Sequence, residues 1–202
     1  MKKLLLSTAL AATTLCANAQ TDYSIQTACN PLDVKTYDTD RLRSAFTMQN
    51  VMEANKIHLT YSMYDRLIFG GAVPVGEVLK LEAIDPLKAP HFTTRREIGI
   101  YNVGEGKGTV RVGEETFELG FKEALYIGSG DRDVFFSSND ASKPAKFYFN
   151  STTAHKEYPC LKVTKADALV AHMGALETSN EHNINKMLVS QVLHTCQPHM
   201  GR

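Results

Sequence analysis

A run of glycine-punctuated strands between residues 95 and 130 constrains the fold of this chain more than any other feature. Its sequence is RREIGIYNVGEGKGTVRVGEETFELGFKEALYIGSG. Apolar and polar residues alternate over Glu97–Val103 and again over Thr109–Val112, which is the period of a strand with one buried face. A Gly-Glu pair at Gly113 follows and predicts a tight turn. Short strands at this spacing predict a sandwich or a barrel, and they argue against a parallel sheet covered by helices.

Further strands are predicted on both sides of this run. They share either period-two alternation or a short apolar stretch, and they lie at 57–62, 65–71, 78–84, 134–137 and 145–149. Helices are predicted only near the ends: one is capped by Asp38–Asp40, and one starts at Thr164 and runs to Leu169. The order of glycine turn, strand, Gly-Glu turn, strand, glycine and strand resembles the cupin core. The predicted fold class is therefore all-β, a cupin-like jelly-roll barrel with short flanking helices.

The organisation along the chain follows from these patterns. Residues 1–19 have the features of a signal peptide, and 20–55 form an N-terminal arm with a short helix, irregular from Thr21 to Tyr37. Residues 56–150 are the predicted barrel, which should close near Asn150. Residues 151–202 form a C-terminal extension.

The first residues have the three parts of an export signal. Lys2 and Lys3 supply the positive charge, Leu4–Leu15 is the apolar region, and Ala17-Asn18-Ala19 is a small-x-small cleavage site. The mature chain is then expected to begin at Gln20, in the periplasm or outside the cell.

The cysteine count of the mature chain is odd. Cys29, Cys160 and Cys196 remain after signal removal, so at most one internal disulfide can form, and the sequence does not say which pair.

The charge balance gives no sign of a nucleic-acid or membrane partner. The 22 basic and 22 acidic residues leave no net charge, so nothing indicates binding to nucleic acid or to an anionic membrane. After the first twenty residues, no apolar run is long enough to span a bilayer.

Several long motifs carry a closer resemblance. DRLIFGG at 65–71, the whole run at 95–130, PAKFYFNSTTAH at 144–155, and TSNEHNINK and TCQPHMG near the end resemble the N-terminal half of the 5-keto-4-deoxyuronate isomerase family. The resemblance is collinear over about residues 30–201. It implies a ketol-isomerase that interconverts 5-dehydro-4-deoxy-D-glucuronate and its 2,5-diketo isomer in pectin and uronate breakdown. It also implies a small-molecule uronate as ligand, and homo-oligomers.

Two departures from the family change what we expect of this chain. Members of the family are longer, with a second β-domain that carries a His-x-His-x4-Glu zinc motif and a further histidine, and they are usually cytoplasmic. This sequence stops where that domain would begin, and it starts with an export signal. We therefore expect the chain alone to hold no stoichiometric zinc and to be inactive. The alternative is an exported, non-catalytic module for uronate binding or oligomerisation.

A metal slot in the barrel itself is incomplete. A working cupin site has two histidines, a glutamate and a later histidine that hold a divalent ion with open positions for substrate. Here His91 and Glu97 match, but Thr93 takes the second histidine position, and Gly130–Asp133 offers no later one. His91 and Glu97 are therefore weak metal candidates, and in the alternative interpretation His91 lies on a loop while Glu97 pairs with Arg95 or Arg96.

A second weak metal candidate lies near the C-terminus. His194, Cys196 and His199 have a spacing that suits zinc, but a fourth ligand and a rigid frame are missing.

The charged group Arg95-Arg96-Glu97 is the substrate-binding candidate. Arginine binds carboxylates through two parallel hydrogen bonds, and a uronate carries a carboxylate. Successive residues of a strand point to opposite faces, so only one of Arg95 and Arg96 can face the barrel mouth. The alternative is an ordinary ion pair. No catalytic residue is predicted.

Overall fold

The structure is a computed structural model that describes residues 21–197. The predicted signal peptide and His199 lie outside these residues. Two short α-helices, α1 (Pro31–Val34) and α2 (Thr39–Phe46), precede most of the strands. The strands in chain order are β1 (Thr21–Gln26), β2 (Ile57–Ser62), β3 (Ile68–Ala72), β4 (Leu79–Lys80), β5 (Arg96–Asn102), β6 (Gly108–Val112), β7 (Glu115–Leu119), β8 (Ala124–Ile127), β9 (Val134–Ser138), β10 (Phe147–Thr153), β11 (Leu161–Val163), β12 (Leu169–Met173) and β13 (His182–Lys186).

Two sheets face each other across one core. The larger has the strand order β1-β2-β3-β10-β5-β8-β11, and the smaller has the order β4-β9-β6-β7. Within these sheets every neighbouring pair is antiparallel except β1 with β2. A separate hairpin pairs β12 with β13. The all-β, cupin-type fold class is confirmed.

The glycine-rich run crosses between the sheets, as a jelly roll requires. β5 pairs with β8 in the larger sheet, while β6 and β7, which lie between them in sequence, pair in the smaller one. Asn102 holds the crossing, because its buried amide donates to the carbonyls of Gly106 and Leu119 at 2.8 and 3.0 Å. At Gly106 a Cβ would lie 1.8 Å from the carbonyl oxygen of Lys143, so this position requires glycine.

The core between the sheets is apolar. Ile98 and Ile100 of β5 and Phe136 of β9 are fully buried in it. A second apolar cluster lies on the other face of the larger sheet, where Tyr101 and Tyr126 pack against Leu188 from the C-terminal extension. The extension is therefore packed onto the barrel, and through β11 it also adds a strand beside β8.

Several local predictions were wrong. The arm at 21–37, predicted to be irregular, contains β1, which pairs with β2 through its backbone although Tyr23 and Ile25 remain exposed. The helix predicted from Thr164 to Leu169 is absent from the described structure: a turn, in which Asp167 accepts from the backbone N–H and hydroxyl of Thr164, leads into β12.

Other predicted elements differ in length. The strand predicted at 78–84 is reduced to β4, which has two residues. The polar segment before Lys186, for which no strand was predicted, forms β13. The segment that forms β13, HNINK, lacks the apolar alternation on which the strand predictions depended. Across the described residues, no helix is long and apolar enough to cross a membrane.

Candidate functional site

The barrel interior is filled by aromatic side chains. The ring centroid of Phe136 lies 5.3 Å from that of Phe147 and 6.1 Å from that of Phe149, and Phe92 lies 6.5 Å from Phe149. All four rings are buried. The space that a cupin uses for a metal and its substrate is therefore occupied here by core packing, and functional groups must be sought at the ends and on the outer face.

At the start of β5, the side chains of the predicted site residues point in different directions. Because strand side chains alternate, Arg96 lies on the same face as Ile98 and Ile100, toward the core, while Glu97 lies on the face of Tyr101. Arg95 precedes the strand and is exposed. The three adjacent charged residues therefore do not form one cluster.

Arg96 closes one end of the barrel. Its Nε donates to the Ser151 hydroxyl at 3.1 Å, and its Nη2 donates to the carbonyls of Ser151 and Arg66, both at 2.7 Å. Arg66 lies in the left-handed region with φ of 54°, so this bond supports a strained turn between β2 and β3. Burial lowers the pKa of Arg96 to about 10, and the group stays charged at neutral pH.

Arg95 reaches back over the preceding loop. Its Nη2 donates to the carbonyl of Leu87 at 2.8 Å, in the short 3-10 turn Asp85–Leu87. Of the two predicted arginines, Arg95 is the one whose side chain solvent reaches.

Glu97 binds the C-terminal extension. It is fully buried, and its Oε2 accepts from the Tyr126 hydroxyl at 2.7 Å and from the backbone N–H of Cys196 at 2.9 Å. Its Oε1 accepts from the backbone N–H of Gln197 at 2.6 Å. Burial and the neighbouring Glu97 carboxylate raise the pKa of Tyr126 well above its usual range, so the phenol keeps the proton that it donates.

His91 has a carboxylate partner that the sequence did not indicate. Its Nδ1 lies 3.0 Å from an Asp133 oxygen, and the Lys80 ammonium lies 3.3 Å from the same oxygen. Partial burial opposes ionisation of Asp133, but the hydrogen bonds from His91 and Lys80 outweigh it and lower the pKa of this carboxyl. Asp133 stands in the later slot of the predicted metal motif, where only a histidine was sought.

Thr93 fills the second histidine position with a structural role. Its buried hydroxyl lies 2.7 Å from the Gly130 carbonyl and 3.0 Å from the Arg132 carbonyl. It ties the loop before β5 to the loop before β9.

The donor groups of the described residues do not fit a zinc ion. Within 21–197, no three His, Cys, Asp or Glu side chains lie together as a metal would need. The Glu97 oxygens already accept three hydrogen bonds, the Cys196 thiol donates to the Lys156 carbonyl at 3.3 Å, and the His194 ring stacks on Tyr158 at 6.3 Å. His91 with Asp133 offers two donors, where a zinc site uses three or four.

The three described cysteines, Cys29, Cys160 and Cys196, are all free thiols in the structure. Cys160 accepts a contact from Arg132 Nη1 at 3.4 Å, and burial raises the pKa of its thiol. The structure thus uses none of the possible pairings.

A concave surface on the outer face of the larger sheet was missed by sequence reasoning. We call it the outer groove; it lies between the sheet and the β12–β13 hairpin and has a volume of about 660 Å³. Its lining includes Tyr101, Tyr148, Lys122, Lys165, Asn183 and Asn185. These residues are scattered over five segments and follow no local motif, so only the fold brings them together.

Comparison with known proteins gives a consistent result. Residues 46–200 match the family model of the KduI/IolB family. The chain is 64% identical over 182 residues to 4-deoxy-L-threo-5-hexosulose-uronate ketol-isomerase 1 of Bacteroides thetaiotaomicron, covering 90% of this chain and 65% of that protein. It is 50% identical over 181 residues to 4-deoxy-L-threo-5-hexosulose-uronate ketol-isomerase of Formosa agariphila, covering 90% of this chain and 64% of that protein. The chain thus spans slightly less than two thirds of the length of these relatives.

A solved structure supports the fold alone. An IolB-like protein from Salmonella typhimurium LT2 superposes with a TM-score of 0.50 at 15% identity, covering 64% of this chain and 47% of that one.

Proposed function

Because the chain belongs to the KduI/IolB family, we propose that it acts in the ketol-isomerisation of 4-deoxy-L-threo-5-hexosulose uronate. The single observation that carries the proposal is the 64% identity over 182 residues to a protein named for that reaction. The matched stretch covers 90% of this chain.

The reaction sets clear chemical requirements. A ketol-isomerisation moves a hydrogen between adjacent carbons, so it needs a positioned acid/base group and a group that polarises the carbonyl. In the family that polarising group is zinc, which would act as a Lewis acid. The donors of residues 21–197 do not fit zinc, and no catalytic step is assigned to such an ion here. We propose that residues 21–197 contribute to the folded structure of the enzyme and bind the uronate.

Three further features of the proposal come from the sequence and the family resemblance. We propose that the protein is exported, that it forms homo-oligomers, and that this chain alone is not active. The export signal and the incomplete donor set support the first and the last of these.

A second function, binding of uronate without catalysis, has one observation in its favour. The outer groove combines cationic, amide and aromatic side chains, whereas the barrel interior is apolar. In this case the protein would concentrate or deliver uronates and not convert them.

Deletion of the encoding gene in its own host tests the isomerase proposal. During growth on pectin, the deletion strain should accumulate 4-deoxy-L-threo-5-hexosulose uronate, and the intact gene should restore the normal level. A chain carrying Lys88→Gln serves as a control variant, since Lys88 is an exposed residue that pairs with Asp85. An unchanged metabolite level in the deletion strain would reject the isomerase role and favour the binding role.

A further inference from the structure

The outer groove has the size and lining of a small-molecule site. Its volume of about 660 Å³ falls in the range of roughly 300–1,000 Å³ that is usual for such sites. Its floor belongs to the second apolar cluster, to which Tyr101 and Met187 contribute buried side chains. Its rim is polar. A concave apolar floor with a few polar groups around it is the usual anatomy of a ligand site.

Two lysines give the groove a positive charge without a balancing carboxylate. Lys122 and Lys165 line it, and no acidic residue does. Within the described chain, no carboxylate lies within 4.0 Å of either ammonium group. The contrast with a nearby lysine is clear, since Lys162 lies 2.7 Å from Glu123. The two groove lysines are therefore available to an anionic ligand.

Lys122 stands in an unusual backbone position. Its φ is 64°, in the left-handed region that residues with a side chain rarely adopt. Its backbone N–H donates to the Asn102 carbonyl at 2.8 Å, which fixes the turn between β7 and β8, and its ammonium lies 4.9 Å from the centre of the Phe121 ring. The turn thus presents this ammonium at the groove edge.

The remaining lining suits a ring with hydroxyl groups. Tyr101 and Tyr148 are direct partners across β5 and β10, so their rings lie side by side on one face of the sheet. Asn183 and Asn185 are two residues apart on β13 and share a face of the hairpin. The Asn183 Oδ1 lies 2.9 Å from His172 Nδ1, which leaves its amide N–H groups as donors.

We infer that the outer groove binds a carboxylated sugar, with Lys122 and Lys165 holding the carboxylate. In this arrangement the asparagine amides hydrogen-bond the hydroxyls, and the tyrosine rings pack against the apolar face of the sugar ring. The choice of a uronate over another organic anion rests on the proposed function. The site itself rests on the geometry of the groove, and it differs from the arginines that the sequence indicated.

The probe for this site is methyl α-D-galactopyranosiduronate. Its anomeric carbon is locked as a glycoside, so it cannot open to a carbonyl form and cannot be isomerised. Binding is then measured by calorimetry without any turnover. The matched neutral ligand is methyl α-D-galactopyranoside, which has the same ring with a hydroxymethyl group in place of the carboxylate.

We expect saturable binding of the uronide and about tenfold weaker binding of the neutral glycoside. Lys122→Gln and Lys165→Gln should each weaken uronide binding about three- to tenfold, and raising the salt concentration should weaken it as well. Lys88→Gln, which lies outside the groove, should leave it unchanged. Thermal unfolding midpoints of all variants confirm that each one is folded.

Three results would overturn the inference: equal affinity for the two glycosides, unchanged uronide binding in a variant that combines Lys122→Gln with Lys165→Gln, or a change of oligomeric mass in that combined variant. The last would identify the groove as a contact between copies of the chain. Metabolite accumulation in the deletion strain does not depend on this probe. A negative binding result at the groove thus leaves the isomerase proposal standing. An unchanged metabolite level in the deletion strain likewise leaves the binding inference standing.

Discussion

The Glu97 carboxylate accepts a hydrogen bond from the backbone N–H of Cys196, 99 residues further along the chain. The same carboxylate also binds Gln197 and the Tyr126 hydroxyl. The buried Glu97 side chain in β5, the first strand of the glycine-rich run, thus holds the end of the described C-terminal extension. The position that a cupin motif would use for a metal ligand is used here for a contact between barrel and extension.

Glu97→Gln should loosen this contact. The amide has one acceptor oxygen in place of two, so one of the three donors around Glu97 would face an N–H₂ group. Charge-assisted hydrogen bonds contribute about 1.5–3 kcal/mol, and we expect the free energy of unfolding to fall by about that amount. Urea denaturation measures it, and hydrogen exchange should show faster exchange of the amides at 187–197. Glu118→Gln is the control, because Glu118 pairs with Lys107 at the surface.

An unchanged exchange rate at 187–197 in Glu97→Gln would contradict this role, because it would mean that the extension is held by its apolar contacts alone.

Arg96→Met should destabilise the fold more than Arg95→Met. Removing the Arg96 guanidinium leaves the carbonyls of Ser151 and Arg66 without these donors, and a buried unsatisfied group costs about 1–3 kcal/mol. Arg95 is exposed, so its loss should change the free energy of unfolding by less than about 0.5 kcal/mol. Urea denaturation of both variants checks the difference, and equal values would show that Arg96 is not structural.

The arginines also test the substrate contact that the sequence indicated. If the uronate carboxylate binds through one of them, Arg→Ala at that position should weaken binding about tenfold and the other change should have little effect. The structure makes Arg95 the more accessible of the two. Calorimetry with the uronide probe measures both variants, and unchanged affinity in both would remove the arginines from the binding site.

The sequence predicted the fold class well because the pattern that defines it is local. Alternation over Glu97–Val103 and the glycines after it determine β5 and its turn, and the structure agrees within one residue. The prediction that the arm is irregular was wrong for a physical reason. β1 pairs through its backbone at the sheet edge and buries only Thr21, so no apolar pattern marks it. β13 was not predicted because it also lacks such a pattern.

The candidate site was less predictable because it depends on long-range contacts. Alternation correctly indicated that Arg95 and Arg96 cannot share a face, but it did not indicate that Arg96 would be satisfied inside the barrel by Ser151. The partner of His91 was found only in three dimensions, since Asp133 is 42 residues away in sequence. Lys122 and Lys165 carry no motif at all, and only the packing of the hairpin against the sheet brings them into one groove.

The pair formed by His91 and Asp133 should give a pH-dependent contribution to stability. The folded-state pKa of Asp133 is lowered, so the folded protein binds fewer protons than the unfolded chain. The contribution is therefore present above the unfolded-state pKa of about 3.9 and is lost as the pH falls through the folded-state value. Because both side chains are partly exposed, it should be at most about 1 kcal/mol.

Asp133→Asn measures this contribution. The variant should be less stable than the wild type at pH 7, and the difference should shrink below about pH 4. Asp131→Asn, in the same loop, serves as the control. A difference that stays constant between pH 7 and pH 3 would mean that packing, and not charge, explains the effect.

Export is tested by the N-terminus of the mature protein. Lys2 and Lys3, the apolar region after them and Ala17-Asn18-Ala19 predict cleavage before Gln20. N-terminal sequencing of the protein from its host should begin at Gln20, and Ala19→Leu should block processing. Protein that keeps Met1 and fractionates with the cytoplasm would contradict the prediction.

Zinc content is the sharpest test of how the chain relates to catalysis. His91 and Asp133 offer two metal donors, and the oxygens of Glu97 are occupied by hydrogen bonds. Within 21–197, no group of three His, Cys, Asp or Glu side chains lies together as a metal would need. We therefore expect well below one zinc per chain by elemental analysis after dialysis, and no turnover of the hexosulose uronate with or without added zinc. A zinc ion that lacks a fixed frame loses affinity, because the ligands must be ordered when it binds.

About one zinc per chain, with activity that a chelator removes, would refute this prediction. In that event His194→Ala and Cys196→Ala would show whether the C-terminal cluster, with His199 beyond the described residues, supplies the ligands; loss of zinc in both variants would place the metal there, and its retention would direct the search to His91 and Asp133.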